Sequence, residues 1–327
     1  MPQPVDSYIA FAHKLPSQFD DHAWLVETAH GAPVACGFCW SDSSGDTRVM
    51  ECDVLVQRAH RRQGIGSRLF AAICDETRNE GRSLLMWSTF DAVGAGEAFS
   101  RRVGARVARV NRTSELVLAG VDRAMIEGWT AAERARDLGY RLEVVDGVIP
   151  EHLRGDAVIF HRIMQDAPRE SLELADRTVN AQFIAELNQA DVGANRERWT
   201  IFVRDARGVC VGGTEVTFEP GDEDTVVQQN TGIDPGHRGL GLAKWAKAAM
   251  LQRIQSQRPA ARRIRTDNAF SNEPMLGINR ALGFEVISTR TEWQVSVAGS
   301  PEARGRQLAL GQARGDQGRR QGARLHQ

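Results

Sequence analysis

Two short stretches of this chain place arginines beside small residues in a pattern suited to gripping an anion. They are Arg61-Arg62-Gln63-Gly64-Ile65-Gly66 and Arg238-Gly239-Leu240-Gly241-Leu242-Ala243. Small residues at alternate positions remove the Cβ atoms that would hold a ligand away from the backbone. Each stretch opens a segment of helical periodicity, so unpaired N–H groups and the positive end of a helix dipole converge on one point. Such a point suits a pyrophosphate, and the neighbouring arginines add charge-assisted contacts. No Gly-Lys-Ser/Thr follows either turn, which excludes a P-loop. The Gly-x-Gly-x-x-Gly of a dinucleotide fold, with an acid about 20 residues on, is missing too. Helix capping alone produces Gly-x-Gly once; two copies in one context call for a ligand.

The elements that position these turns are repeated as well. RVMECDVLV and TVVQQNTGI read as strands leading into the two turns. After the first turn, Ile65, Leu69, Ala72 and Ile73 share one helical face, and Gly81 ends the helix. After the second, Leu242, Trp245, Ala246, Ala249, Met250 and Ile254 do the same, with Pro259 beyond. A strand (SLLMWSTF; RRIRTDN), a short helix and a Gly-Ala or Gly-Phe turn complete each copy. Upstream, residues 23–40 and 199–218 read as hairpins around His30-Gly31 and Ala206-Arg207-Gly208. The repeating unit is a whole domain, and the expected class is α/β with mixed α+β character. Residues 121–138 read as helical, 140–145 as a strand and 171–189 as helical, with a boundary near residue 138. The expected domains are 1–138 and 139–298. From 299 to 327 the Gly, Arg and Gln-rich text lacks the apolar residues to offset ordering entropy, so a disordered tail is expected.

Composition removes several function classes. A chain of 327 residues suits two domains, and 42% hydrophobic with 25% charged residues is ordinary for a globular protein. With 41 Lys+Arg against 42 Asp+Glu the net charge is −1, so no overall field favours nucleic acid or an acidic membrane. No run approaches the ~18 apolar residues of a membrane span, and MPQPVDSYIA lacks a signal-peptide pattern. A cytoplasmic protein with neither nucleic-acid nor membrane partner is expected. Five cysteines, an odd number, argue against a disulfide framework. Cys36-Gly-Phe-Cys39 lies inside a strand-like apolar run and reads as buried thiols; no second CxxC completes a zinc site, and no metal is expected.

The two Arg-x-x-Gly-x-Gly/Ala turns, each after a strand ending in an apolar residue (Val56, Ile233), resemble motif A of the GCN5-related N-acetyltransferase (GNAT) superfamily. Thr266, Asn268, Asn272, Met275 and Asn279-Arg280-Ala281-Leu282-Gly283-Phe284 resemble its second motif. The resemblance spans roughly residues 20–118 and 150–297. Its organisation is similar to tandem GNAT proteins of actinomycetes, the class that includes mycothiol synthase. This implies, in each half, a mixed sheet splayed into a V between the family's fourth and fifth strands. Acetyl-CoA, as co-substrate, would lie in that V, its two pantetheine amides pairing with strand edges that would otherwise lack partners. The implied binding residues are Val56, Arg61, Arg62, Gly64 and Gly66 in the first half. In the second they are Ile233, Arg238, Gly239, Gly241, Leu242, Ala243, Asn268 and Asn272.

Acetyl transfer to a primary amine of a small molecule or peptide needs a base, an oxyanion donor and a proton for the leaving thiolate. Many GNAT enzymes use a Glu near the fourth strand and a Tyr on the following helix. That Tyr is absent from both halves: Asn279 and Ser100 stand at the matching positions. An amide orients water or a thiol but is no acid. Glu51 and Asp53 share one face of the first half's fourth strand. In the second half that strand has Gln228 and Gln229, and its nearest acids are Glu215 and Glu219. Asn279, Glu215, Glu219 and Glu51 are therefore the catalytic candidates. The second half is expected to catalyse: it keeps both asparagines where the first has Val93 and Ser100, and has chain enough for a roof over the acceptor. The first is expected to be shorter and degenerate. The missing Tyr also motivates a rival reading, a non-catalytic acyl-CoA-binding sensor. His60 and His237 read as loop packing or phosphate contacts, and Trp40, Trp245 and Trp293 as core. No feature of the sequence specifies an oligomeric state.

Overall fold

The computed structural model describes residues 19–42, 45–166, 168–176, 178–297 and 321–326. Its contacts divide the chain into two units, neither contiguous in sequence: Met1–Ala108 with Ser171–Arg177 and Thr291–Gln327, and Arg109–Glu170 with Thr178–Arg290.

The first unit contains β1 (Phe19–Glu27), β2 (Pro33–Asp42), β3 (Val49–Val56), α1 (Ile65–Asn79), β4 (Leu84–Phe90) and α2 (Gly94–Arg102). Part of β11 (Glu285–Ser296) and β12 (Gln321–His326) complete it, in the order β12-β1-β2-β3-β4-β11. β1, β2 and β3 are antiparallel, β3 and β4 parallel, and β12 runs parallel to β1. The apolar face of α1 (Ile65, Leu69, Ile73) packs on Met50, Cys52 and Leu85. Cys36 and Cys39 are buried in β2, and burial, then Asp53, pushes the Cys36 thiol up to about 11. These thiols are core, as their strand context predicts.

In the second unit β5 (Arg106–Val117) is followed by α3 (Arg123–Ala131), α4 (Glu133–Asp137) and β6 (Arg141–Asp146). Next come α5 (Arg154–Ile163), α6 (Ala181–Gly193), β7 (Glu197–Arg204), β8 (Cys210–Phe218) and β9 (Thr225–Ile233). α7 (Leu242–Gln257), β10 (Arg263–Ala269) and α8 (Glu273–Leu282) end it, with strand order β11-β5-β10-β9-β8-β7-β6. Trp199 to Val203 of β7 are buried without a break because helices cover both sides. Trp199 and Ile201 join Met250 and Ile254 of α7, while Phe202 joins Phe160 of α5 and Ile184 of α6.

Each unit's sheet borrows the last strand of the other repeat. Asn111–Val117 of β5 pair antiparallel with β10 inside the second unit. Residues 291–296 of β11 lie beside β4 in the first, where the Trp293 indole donates to Thr89 Oγ1 at 2.8 Å. The contacts divide the chain at 108/109, 170/171, 177/178 and 290/291, where the sequence expects one boundary near residue 138, because strand edges are satisfied by pairing regardless of chain order. Residues 171–176 and 178–180 are not helical, unlike the expectation for 171–189. The Asn180 side chain accepts from Phe183 N and starts α6 there. Of the expected disordered tail, 299–320 and 327 lie outside the described residues, while 321–326 form β12. Among the described residues no helix is long and apolar enough to cross a membrane.

The expected V is present twice. β9 and β10 pair in parallel only from Thr225↔Arg263 to Gln228↔Thr266, although β9 continues to Ile233 and β10 to Ala269. β3 and β4 part after Glu51↔Met86 in the same manner.

Candidate active site

The second unit's turn is built from its own backbone. Asp234 Oδ1 accepts from Gly236 N at 2.9 Å and starts a 3-10 turn over Pro235–His237. Arg238 Nε donates to the Ile233 carbonyl at 2.9 Å, folding its guanidinium against the strand end. Gly239 and Gly241 both adopt φ 78°, a left-handed conformation costly for other residues. No side chain caps α7, whose first bond runs from Trp245 N to Gly241 O. The amides of Leu242, Ala243 and Lys244 precede that bond and have no carbonyl one turn back. A Cβ on Gly239 or Gly241 would meet nothing within 4 Å, so this side of the turn is open. His237 Nδ1 is held by the Tyr140 hydroxyl at 2.7 Å, which agrees with a packing role.

The first unit's turn uses the same device: Arg61 Nε donates to the Val56 carbonyl at 3.1 Å, Gly64 has φ 80°, and α1 starts without a side-chain cap. At the position of Gly239 it has Arg62, at φ 66°.

Beyond the second turn, β9 carries a bulge. Thr214↔Thr231 and Val216↔Gln228 leave Gln229 and Asn230 facing Glu215 alone. Both bulge side chains go to the face covered by α5 and α6: Gln229 Nε2 donates to Thr217 Oγ1 (2.9 Å) and Asn230 Nδ2 to Glu215 Oε2 (3.0 Å). Gln228 goes to the other face, under α7, where its amide donates to the Glu215 carbonyl at 2.6 Å.

Glu215, a candidate base, is 1% exposed. His161 Nε2 lies 3.4 Å from Oε1, Arg198 Nη1 lies 3.5 Å from Oε2, and Arg198 is also paired with Asp191 at 2.6 Å. Burial pushes the carboxyl up, but the hydrogen bond and charge of His161, the charge of Arg198 and the Asn230 amide outweigh it and hold it below its ordinary value. Glu215 is thus an ionised group with both oxygens occupied. Glu219 follows β8 and is bound to Arg196 at 2.6 Å, so the structure does not bring it to the bulge residues as a partner.

On the opposite wall, Asn279 of α8 is 2% exposed and donates to Asn268 Oδ1 at 2.7 Å. Its own Oδ1 is buried without a partner. A buried acceptor left empty is costly, and it marks where a ligand donor fits. Asn272 spends its side-chain oxygen on Met275 N as the cap of α8.

In the first unit Ser100 takes the Asn279 position and is closed: it accepts from the Trp87 indole (2.8 Å) and donates to the Gly96 carbonyl (3.0 Å). Phe70 packs edge-on against Trp87 and Phe99, with ring centroids 5.4 and 5.7 Å away. Glu51 and Asp53 share the other face, opposite Trp40 and Phe38. Burial, then the Glu51 charge, raises half-buried Asp53 to about 7. His22, Glu76 and Glu80 have metal-ligand spacing, but Glu80 is bound by His22 at 2.7 Å and Arg82 at 3.1 Å, which reads as an ion-pair network.

Sequence reasoning missed His161, Asn230 and Lys247. Lys247 left a trace: it interrupts the apolar run of α7 next to Ala246 and Ala248, on a side that turns out buried.

The model of the acetyltransferase (GNAT) family matches residues 2–105. No curated protein matches the chain. Among solved structures, a tandem GNAT protein from the clavulanic acid biosynthesis pathway is similar over 91% of this chain and 90% of its own, with 22% identity and a TM-score of 0.74. A GCN5-related N-acetyltransferase from Sphaerobacter thermophilus covers 83% of this chain and 79% of its own, at 10% identity and TM-score 0.58. A GCN5-related glucosamine N-acetyltransferase region of a fungal multi-domain GH3 beta-N-acetylglucosaminidase covers 82% here and 32% of its chain, at 12% identity and TM-score 0.56. At these identities the likeness is one of fold, and the sequence match lies in the first repeat. The fold that the motifs' resemblance implies, two GNAT-like sheets in tandem, is the fold that this likeness shows.

Proposed function

For a chain with the tandem GNAT fold, we propose the activity of an acyl-CoA-dependent N-acetyltransferase, moving acetyl from acetyl-CoA to a primary amine of a small molecule or peptide by direct attack. The second unit performs the transfer. One observation carries this reading: β9 and β10 part after Gln228↔Thr266, and the freed length of β9 runs on to Ile233 and the turn that opens the uncapped start of α7. The freed edge of β9 offers backbone partners to the two pantetheine amides, and the turn amides offer theirs to the pyrophosphate.

The chemistry follows from the walls of that V. The bulge at Gln229-Asn230 takes a backbone amide out of the ladder, where it serves as donor to the developing oxyanion. The amine arrives from the α5/α6 face, where exposed Gln229 and half-buried Asn230 orient it. Its proton leaves toward the His161–Glu215 pair, where a neutral imidazole accepts it and the carboxylate steadies the imidazolium that forms. Glu215 acts as anchor and His161 as the group that exchanges the proton. Asn279 offers its empty Oδ1 to a pantetheine N–H or to the thiol.

The first unit supports a second reading, acyl-CoA binding without turnover. Its turn matches, but Ser100 and the Phe70–Trp87–Phe99 cluster close the wall that Asn279 leaves polar. The test is incubation with acetyl-CoA and a panel of amines while free thiol is followed. Amine-dependent release that disappears in Gly241→Trp supports the transferase. Tight CoA binding with no turnover on any amine would transfer the sensor reading to the whole chain.

A further inference from the structure

Lys247 on α7 is 4% exposed and has no use in the scheme above. Its Nζ donates to Gln228 Oε1 at 3.2 Å and lies 5.7 Å from the Phe284 ring centre. Among the described residues no carboxylate forms an ion pair with it. The charged groups on the elements around it are engaged elsewhere. Glu215 of β8 binds His161 and Arg198, Asp267 of β10 binds Thr113, and Glu273 of α8 binds Arg280. Glu127 of α3 is exposed, and Lys244 of its own helix sits over Trp129. An ammonium buried without a counter-charge is costly, and burial alone brings Lys247 down to about 7.

Its place in the V gives that cost a purpose. Gln228 is the last residue of β9 that pairs with β10. Phe284 N donates to the Asn279 carbonyl at 3.0 Å, so Lys247 and Asn279 approach the closed end of the cleft from α7 and α8. The pantetheine arm has twelve bonds from phosphate oxygen to sulfur, equal in reach to about four residues of backbone. With the pyrophosphate at the turn after Ile233, the sulfur falls beside Gln229, next to the residue that Lys247 holds.

We propose that Lys247 is the catalytic acid of the second unit, its ammonium facing the sulfur of the bound thioester and protonating it as it leaves. The inference rests on the acetyltransferase reading. The acceptor nitrogen forms its bond to the acetyl carbon, and the amine proton passes to His161. The C–S bond breaks with its electron pair on sulfur, and Lys247 supplies the proton that makes CoA-SH. Solvent then takes the proton from His161 and returns one to Lys247. The first unit has Phe70 at this position, as far beyond Gly64 as Lys247 is beyond Gly241, and lacks the group.

The test needs only CoA. Protein in the Gly64→Trp background, so that the second turn alone is scored, is saturated with CoA and its thiolate absorbance near 240 nm is followed against pH. A thiolate and the Lys247 ammonium stabilise each other and titrate as a pair, so the bound thiol is expected to ionise about 1–2 pH units below free CoA. Lys247→Met should abolish the shift and raise Tm, because it removes a buried unpaired charge; Lys247→Arg should retain it. A bound thiol that titrates like free CoA, or an unchanged shift in Lys247→Met, would overturn the assignment while leaving CoA binding in place. Failure of CoA to bind at all would sink the acetyltransferase reading with it.

Discussion

The two units start from the same turn and line the space beyond it differently. Arg61 and Arg238 fold onto the last carbonyl of the preceding strand in the same way, and Gly64 and Gly241 hold the same left-handed corner. Past that corner the second unit presents Lys247, Asn279 and Asn268, and the first presents Phe70, Ser100 and Trp87. Their carboxylates differ as well. Glu215 is held ionised within a buried network, whereas burial and then the Glu51 charge raise Asp53 to about 7. Anion binding at a helix start depends on backbone alone and survives duplication easily. The chemistry around the thioester depends on a few side chains and diverges.

The sharpest way to break this comparison is to block one turn at a time. Gly241→Trp imposes a side chain on φ 78° and fills the space open above the turn, and turnover is expected to fall at least ~100-fold. Gly64→Trp should leave it within about twofold. Equal losses in a free-thiol assay would show that both units catalyse. Next in size is Glu215→Ala, which strands Arg198 and His161 without their shared anion. A loss of about 3–5 kcal/mol in urea unfolding is expected. Asn279→Ala should lower kcat about tenfold, near 1.4 kcal/mol, with less change in CoA affinity, while Ser100→Ala should leave kcat unaltered.

The pH dependence of stability should run in opposite directions in the two units. Glu215 has a depressed folded value, so its contribution is complete above the ordinary carboxylate range and is lost as pH falls through that value. Asp53 is raised from the ordinary 3.8 to about 7, so its contribution is complete below 3.8 and is lost as pH climbs to about 7. In Asp53→Asn the denaturation midpoint should no longer decline across that window; an unchanged decline would remove Asp53 as its source. Smallest of all is Gly66→Ala. Its Cβ would meet Phe99 and Val56 at 3.6 and 3.7 Å, ordinary contacts, and the second unit already has Ala243 there. Less than about 0.5 kcal/mol is expected.

Much of the site was legible because it is local. Spacing alone identified the helix faces of Ile65–Ile73 and Leu242–Ile254, and turn chemistry placed both glycine corners. The strand hairpins at 23–40 and 199–218 followed from alternation and Gly-containing turns. The composition of residues 171–176 permits a helix, but Glu173 N donates instead to Gln294 Oε1, and α6 starts only after Asn180. Glu215 stands out in the sequence as a carboxylate on the 199–218 hairpin, but its pairing with His161 and Arg198 is not legible there, since those residues are distant along the chain. Lys247 leaves only an interruption in the apolar run of α7, because helical periodicity marks a side as buried only where that side is apolar.

By itself the amino-acid order determined the turns, the helices they open and the duplication of the whole pattern, because these depend on residues within a few positions of one another. Only the tertiary structure decided which last strand completes which sheet, which carboxylate keeps its charge and which amide oxygen is left empty. Those outcomes are settled by burial and by partners brought from elsewhere in the chain, and neither is written in local spacing.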